Sequence, residues 1–268
     1  MGGAPRGAEV VMMSAFLFWV GMVWAGNPVW EDLGGGTKVD WAGERLVSTA
    51  SSSRGTGHQE PFEVLEGRAR EVLGPTVLQR ARKVRLTSTR TAGDYMESGD
   101  LVADRLDDNL SSWDASEVRY RTSGIVEVDA VLDLHDWMRS ALTLLATGRE
   151  RASPVTGETT GVVLDARAHD VRPCIAPRVL DPSGGVVYGL EVVAPGTMAL
   201  RSPVQWVDDA ADVRTAQRAG EHPLFVRVAS VKDGCDLVVS APDAESIRTA
   251  AEATAFLVQA HVVAVVRP

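Results

Sequence analysis

Two alternating runs within residues 117–134, EVRYRTSGIVEVDAVLDL, constrain the fold of this chain more than any other feature. Apolar and polar residues alternate on both sides of Ser123-Gly124, a pair typical of a tight turn. Because successive side chains of a strand point to opposite faces, this segment predicts a β-hairpin with one buried face. A further alternating segment, residues 38–52, predicts a second hairpin or two short strands, with the turn near Ala42-Gly43.

Helical spacing separates these β segments. Apolar residues recur every three or four positions from Phe62 to Val84, which predicts a helix with a kink or break at Gly74-Pro75, since proline removes a backbone donor. A second helix is predicted after a cap at Ser98, and a third over residues 135–148 with Gly148 as its C-cap.

A polar segment containing Pro154 predicts a domain boundary, and a second α/β pattern follows it. We therefore predict an α+β protein with two small α/β domains, each a mostly antiparallel sheet packed with two or three helices. The predicted organisation is a signal peptide (1–25), a linker (26–37), a domain (38–148), a linker (149–160) and a domain (161–268). Strands are predicted at 161–166, 174–180 and 185–190, a helix at 208–220, a hairpin joining 224–231 to 236–241, a helix from Pro242 to Leu257, and a final strand.

The N-terminus carries an uncharged run from Val10 to Pro28. Its strongly apolar part is about fifteen residues, shorter than the roughly twenty that a membrane span needs. Val23-Trp24-Ala25 offers a cleavage site before Gly26, so the run predicts a secretory signal peptide; the alternative is a short uncleaved anchor. Both alternatives predict export, to the periplasm or the outer membrane. If the signal peptide is cleaved, no stable membrane span is expected to remain. No cysteine follows the run, so no lipid anchor is expected.

The net charge of -9 argues against nucleic acid as a partner, because phosphates select basic surfaces. The one basic stretch, residues 79–90, can bind an anion, although a solvated helix end explains it more simply.

Polar residues cluster in GVVLDARAHDVRPCIAPRVLDPSGGVVYG, residues 161–189. On an extended strand His169 and Cys174 would face opposite sides about 16 Å apart, and no third group orients them. The five histidines form no metal-binding pair, and no phosphate loop or serine elbow is present. We therefore predict a protein that is not an enzyme and has no metal or cofactor. The alternatives are a periplasmic enzyme using Cys174 with a histidine base, and a carbohydrate- or peptide-binding module using the tryptophans.

Cys174 and Cys235 are the only cysteines. Export permits a disulfide between them, and two free, buried thiols are the alternative.

Four segments, at residues 39–51, 118–134, 160–189 and 236–266, resemble the LPP-type bacterial surface lipoproteins and the related N-terminal domain of flagellar assembly protein T. The resemblance covers most of residues 38–268. The resemblance implies a non-catalytic envelope protein with an assembly or binding role and a flagellar or outer-membrane partner, and it leaves the oligomeric state open. It also implies that Asp165 and Arg167 form a charge pair or support a turn at a strand end. His169-Asp170, Cys174 and Gly74-Pro75 depart from the family pattern. The residues that carry the resemblance best are Asp165, Arg167, Pro173, Pro177, Gly184, Tyr188 and Gly189.

Overall fold

A computed structural model of the chain describes residues 27–54, 60–150 and 156–267. The predicted signal peptide and residues 151–155 of the predicted linker 149–160 lie outside the described residues. Seven helices and three sheets are formed within the described ranges, which confirms the α+β class.

The first half is built on a five-stranded antiparallel sheet with the order β1-β2-β3-β5-β4. The hairpin predicted at 117–134 is confirmed as β4 and β5, and the side chains at 126, 128, 130 and 132 of β5 are fully buried. The strands are β1 (Trp30–Gly34), β2 (Thr37–Asp40), β3 (Arg45–Ser53), β4 (Asp114–Tyr120) and β5 (Ile125–Asp133).

The linker predicted over 26–37 is wrong in its larger part, because β1 pairs antiparallel with β2. Gly34, Gly35 and Gly36 all have positive φ and make the tight turn between these strands. Three consecutive glycines therefore serve as a hairpin turn and not as a flexible spacer.

Four helices accompany this sheet: α1 (Phe62–Ala81), α2 (Ala92–Met96), α3 (Leu101–Asn109) and α4 (Leu134–Leu145). Of the kink or break predicted at Gly74-Pro75, the break is wrong, since α1 runs through both residues with Pro75 on its exposed side. Leu73 and Val77 are fully buried on either side of the proline, so packing against β3 and β5 outweighs the lost hydrogen bond.

Two predicted helix ends also differ. Asp100, not Ser98, caps α3 by accepting from the amides of residues 102 and 103. Helix α4 ends at Leu145, and Gly148 lies beyond it, where an added Cβ would stand 2.0 Å from the carbonyl oxygen of Val192. Gly148 is needed for close backbone approach and not as a cap.

The second half contains two four-stranded sheets, ordered β10-β6-β13-β9 and β11-β12-β7-β8. The first of them is entirely parallel, which differs from the antiparallel sheet predicted here. Its inner strands β6 and β13 are buried on both faces and read as continuous apolar runs, as parallel strands do. The elements are β6 (Gly161–Asp165), β7 (Val179–Leu180), β8 (Val186–Tyr188), α5 (Pro195–Met198), β9 (Gln205–Val207), α6 (Val213–Ala219), β10 (Pro223–Arg227), β11 (Ser230–Lys232), β12 (Asp236–Val238), α7 (Ala241–Thr254) and β13 (Val262–Val265).

The long strand predicted at 224–231 is divided between the two sheets. Its first part is β10, which pairs with β6, and its second part is β11, which forms the predicted hairpin with β12. Val228 is buried at the crossing point, where its amide donates to the carbonyl oxygen of Asp165.

The two halves share one hydrophobic core that contains both Trp137 and Trp206. Backbone hydrogen bonds also join them: Ile175 donates to Arg85 at 3.0 Å, and Ala176 donates to Leu86 at 2.8 Å. No helix within the described ranges is both long and apolar enough to cross a membrane.

Candidate functional site

Cys174 and Cys235 form a disulfide, with a Cα–Cα distance of 6.1 Å, and both are fully buried. The Cys174 sulfur is therefore not available as a nucleophile in this structure, which removes the thiol that the enzyme alternative requires. The ring of His169 instead lies beside the Val228 carbonyl oxygen, with Nε2 at 3.0 Å. Within the described residues no group of three or more His, Cys, Asp or Glu side chains is placed to hold a metal ion.

Asp165 and Arg167 form a charge pair at the end of β6. The Arg167 Nε and Nη2 donate to the two carboxylate oxygens at 2.9 and 2.8 Å. These bonds hold the pKa of Asp165 at about 2, below its ordinary value. The pair lies at an exposed edge and supports the turn after β6.

The other residues of the family-like segment lie at separate points and form no common site. The Pro173 carbonyl oxygen accepts from Arg85 of the first half, and Pro177 is buried just before Arg178. Gly184 has a φ of +88° in the turn before β8. The hydroxyl of the buried Tyr188 donates to the carbonyl oxygen of Pro203, and the Gly189 carbonyl oxygen accepts from Val192.

Most tryptophans in the described residues belong to the core. Trp41, Trp137 and Trp206 are buried, and each indole nitrogen donates to an acceptor inside the protein. Trp113 is half-buried, so Trp30 alone among the described tryptophans is well exposed. They form no shared binding surface of the kind that the third alternative proposes.

Asp236, directly after Cys235, gathers donors from both halves of the chain. Its carboxylate accepts from the backbone amide and Nε of Arg178, each at 2.9 Å, and from its Nη2. The Ser88 hydroxyl donates to it at 2.9 Å across the joint between the halves. Hydrogen bonding to Asp236 holds the pKa of Arg178 above its ordinary value. Sequence reasoning missed this cluster, and the only local signal was an acidic residue beside a cysteine.

Arg178 lines one of two neighbouring cavities that have Glu191 as a common wall, and we call these cavities together the Glu191 cleft. The first has a volume of about 360 Å³ and lies at the joint of the halves. The second has a volume of about 420 Å³. The first is lined by Thr87, Ser88, Thr89, Arg90, Tyr95, Leu145, Thr147, Ala176, Arg178 and Leu190, and the second by Gly148, Arg149, Val192, Arg248, Ala251, Glu252, Leu257 and Val258.

The Glu191 cleft is lined by more arginines than acids, although two of these arginines are paired with carboxylates outside the lining, Arg178 with Asp236 and Arg248 with Asp181. Four arginines line it against two glutamates, Glu191 and Glu252. The Arg90 guanidinium lies 3.7 Å from the centre of the Tyr95 ring and makes no ion pair within the described residues. Arg248 is paired with Asp181 at 2.7 Å.

The polar groups of the cleft suit binding. Guanidinium groups recognise carboxylates through pairs of parallel hydrogen bonds, and hydroxyls at 87–89 add neutral donors and acceptors. Among the described residues that line either cavity there is no histidine or cysteine. The arrangement can therefore hold a polar ligand with acidic groups, and it brings together no nucleophile with a histidine base.

Residues 161–268 match the family model described as Treponema pallidum Tp0624, second domain. The match begins at the first residue of β6 and includes Arg178, Glu191 and Arg248, but not Arg90 or Tyr95. A comparison with curated proteins gives no match. The second half is thus similar to a domain of a bacterial protein, and this likeness assigns no activity to it.

Proposed function

We propose that this chain is a non-catalytic, exported protein of the bacterial envelope that binds an envelope or flagellar partner through the Glu191 cleft. The observation that carries the proposal is the cleft itself, which sets four guanidinium groups at and beside the joint of the two halves. Binding clefts commonly lie between packed structural units, with a few polar groups fixing the ligand's orientation.

Export has two independent supports. The uncharged run from Val10 to Pro28 contains an apolar stretch of signal-peptide length and a cleavage site before Gly26. The Cys174–Cys235 disulfide suits an oxidising compartment, because thiols in the cytosol are kept reduced. The resemblance to LPP-type lipoproteins and to flagellar assembly protein T favours an envelope role, and the similarity to Tp0624 favours a bacterial one.

An acidic peptide segment of a partner protein fits the cleft better than a sugar. Sugars commonly stack on an open aromatic face, but the Arg90 guanidinium already covers one face of Tyr95. The Arg90 Nη2 donates to the Asp94 carbonyl oxygen at 2.9 Å, which leaves its other guanidinium N–H groups for a carboxylate. Arg178 keeps 38% of its side chain exposed in the same cavity.

The proposal is tested by site-specific photocrosslinking in the living cell. A crosslinking residue replaces Thr89 in the cleft or, as the control, Arg139, which is exposed on α4 and does not line the cleft. We expect the Thr89 position to capture one defined envelope or flagellar protein, with capture lost on adding Arg90→Glu and no such product from position 139. Recovery of the protein in the cytoplasm, or identical products from both positions, would contradict the proposal.

A further inference from the structure

A third basic cavity lies in the second half and shares no lining residue with the Glu191 cleft. It has a volume of about 280 Å³ and lies between the segment before β9 and helix α6. We call it the arginine pocket. Its lining residues are Arg201, Gln205, Arg214, Gln217 and Arg218.

The three arginines of this pocket differ in what holds them. Arg214 is neutralised by Asp212, to which its Nε and Nη2 donate at 3.0 and 2.6 Å. Arg201 makes no ion pair within the described residues. Arg218 donates from Nη2 to the Ser202 carbonyl oxygen, while its Nε is buried and has no hydrogen-bond partner there. Two guanidinium groups therefore retain donors that no acid of the described chain takes up.

The acid that opposes Arg218 is Glu44, in the turn between β2 and β3. It accepts a hydrogen bond of 2.7 Å from the Ser202 hydroxyl, and its carboxylate attracts Arg218 through space. Burial raises the pKa of Glu44 and lowers the pKa of Arg218 from their ordinary values. With Arg214 paired to Asp212 and Arg218 opposed by Glu44, the remaining positive charge of the pocket is that of Arg201.

We propose that the arginine pocket binds a phosphate group, either free or at the end of a small solute. The planar fork of Arg201 matches the oxygens of a tetrahedral oxyanion, Arg218 adds a second positive charge to the pocket wall, and the side-chain amide of Gln217 adds a neutral donor. A volume of about 280 Å³ holds phosphate with a few attached atoms and is too small for a folded partner. This site is independent of the function proposed for the cleft.

The test is calorimetric titration of the full exported protein at constant ionic strength. Inorganic phosphate and glycerol 3-phosphate are the probes, and sodium chloride is the blank. We expect saturable binding of at least one probe with a stoichiometry of one. Tighter binding of glycerol 3-phosphate identifies the terminus of a larger solute, whereas equal binding identifies phosphate itself, and both support the site.

Two variants test whether the binding heat comes from the arginine pocket. Arg201→Gln is expected to weaken binding about tenfold or more, because it removes a charged, bidentate donor. Arg172→Gln removes an exposed arginine outside the pocket and should leave the affinity unchanged. If Arg201→Gln does not fold, Gln217→Glu places a negative charge at an exposed lining position and should abolish binding. Absence of saturable heat with both probes, or equal affinity in the pocket variant and the Arg172 variant, would overturn the proposal.

Discussion

Asp236 accepts three hydrogen bonds from Arg178, and the two residues join the disulfide segment to the wall of the Glu191 cleft. Their exposures differ sharply: 1% of the aspartate side chain is accessible to water, against 38% of the arginine side chain. The carboxylate therefore depends on its partner for solvation, whereas the guanidinium can turn toward water.

This asymmetry predicts unequal costs for the two single substitutions. Arg178→Met leaves a buried carboxylate and should lower the free energy of unfolding by about 3 kcal/mol or more at neutral pH. Asp236→Asn leaves an arginine that reaches water and should cost about 2 kcal/mol. Denaturant unfolding measures both, with Arg139→Met as an exposed control expected to change stability by less than about 0.5 kcal/mol. A larger cost for Asp236→Asn than for Arg178→Met would show that the carboxylate is not the dependent partner.

The disulfide predicts a large effect of reduction on stability. The two cysteines are 61 positions apart, and closing a loop of that length lowers the entropy of the unfolded chain by the equivalent of about 4 kcal/mol. Unfolding of the Cys174→Ala/Cys235→Ala variant should show a loss of that order.

Intact mass before and after reduction provides the chemical check. The purified protein should gain two hydrogens on reduction and should bind no alkylating reagent before it. A mass beginning at Gly26 would establish cleavage of the signal peptide. A reactive free thiol at Cys174 would contradict the structural role and favour the enzyme alternative.

Replacing Pro75 inside helix α1 is expected to stabilise the protein. Pro75 lies on the exposed side of the helix and contributes no amide to its hydrogen-bond ladder. Pro75→Ala should therefore raise the free energy of unfolding by about 1–3 kcal/mol. Gly67→Ala is the calibration: an added Cβ there meets nothing within 4 Å, and a gain of about 0.5–1 kcal/mol is expected. A lower melting temperature for Pro75→Ala would mean that the proline sets a bend on which the packing of α1 depends.

The Asp165–Arg167 pair predicts a pH dependence with a definite sign. Because the folded-state pKa of Asp165 is about 2 and the ordinary value is 3.8, the pair's contribution is complete above about pH 4.5 and is lost as the pH falls through about 2. The pair is exposed, so the melting temperature of Asp165→Asn should lie only about 1–3 °C below that of the unchanged protein at pH 6. The two melting curves should converge near pH 2. A difference that persists there would assign the effect to the turn and not to the charge.

Local periodicity was sufficient to predict the elements whose partners lie close in sequence. The β4–β5 hairpin and helix α1 each bury a face that the spacing of their own residues defines, and the β11–β12 hairpin is marked by its turn at Asp233-Gly234. The parallel sheet was not predictable in this way, because its central pairing joins Val162 to Val262 and leaves no local mark on either strand.

The Glu191 cleft was hidden for the same reason. Arg90 and Arg178 come from opposite halves, and only the packing of the halves brings them to one cavity. The disulfide was easier to anticipate, since a chain with two cysteines has only one pairing available within it.

The amides of Ile175 and Ala176 find their acceptors on Arg85 and Leu86, outside the segment that is similar to the Tp0624 domain. A fragment beginning at Gly161 would expose these two donors and the apolar surface that packs on the first half. The segment that matches the Tp0624 domain therefore ends inside a core that it shares with the first half. In another protein that carries such a domain, a different segment would have to cover this surface. The residues on the two sides of that contact are then expected to vary together among such proteins.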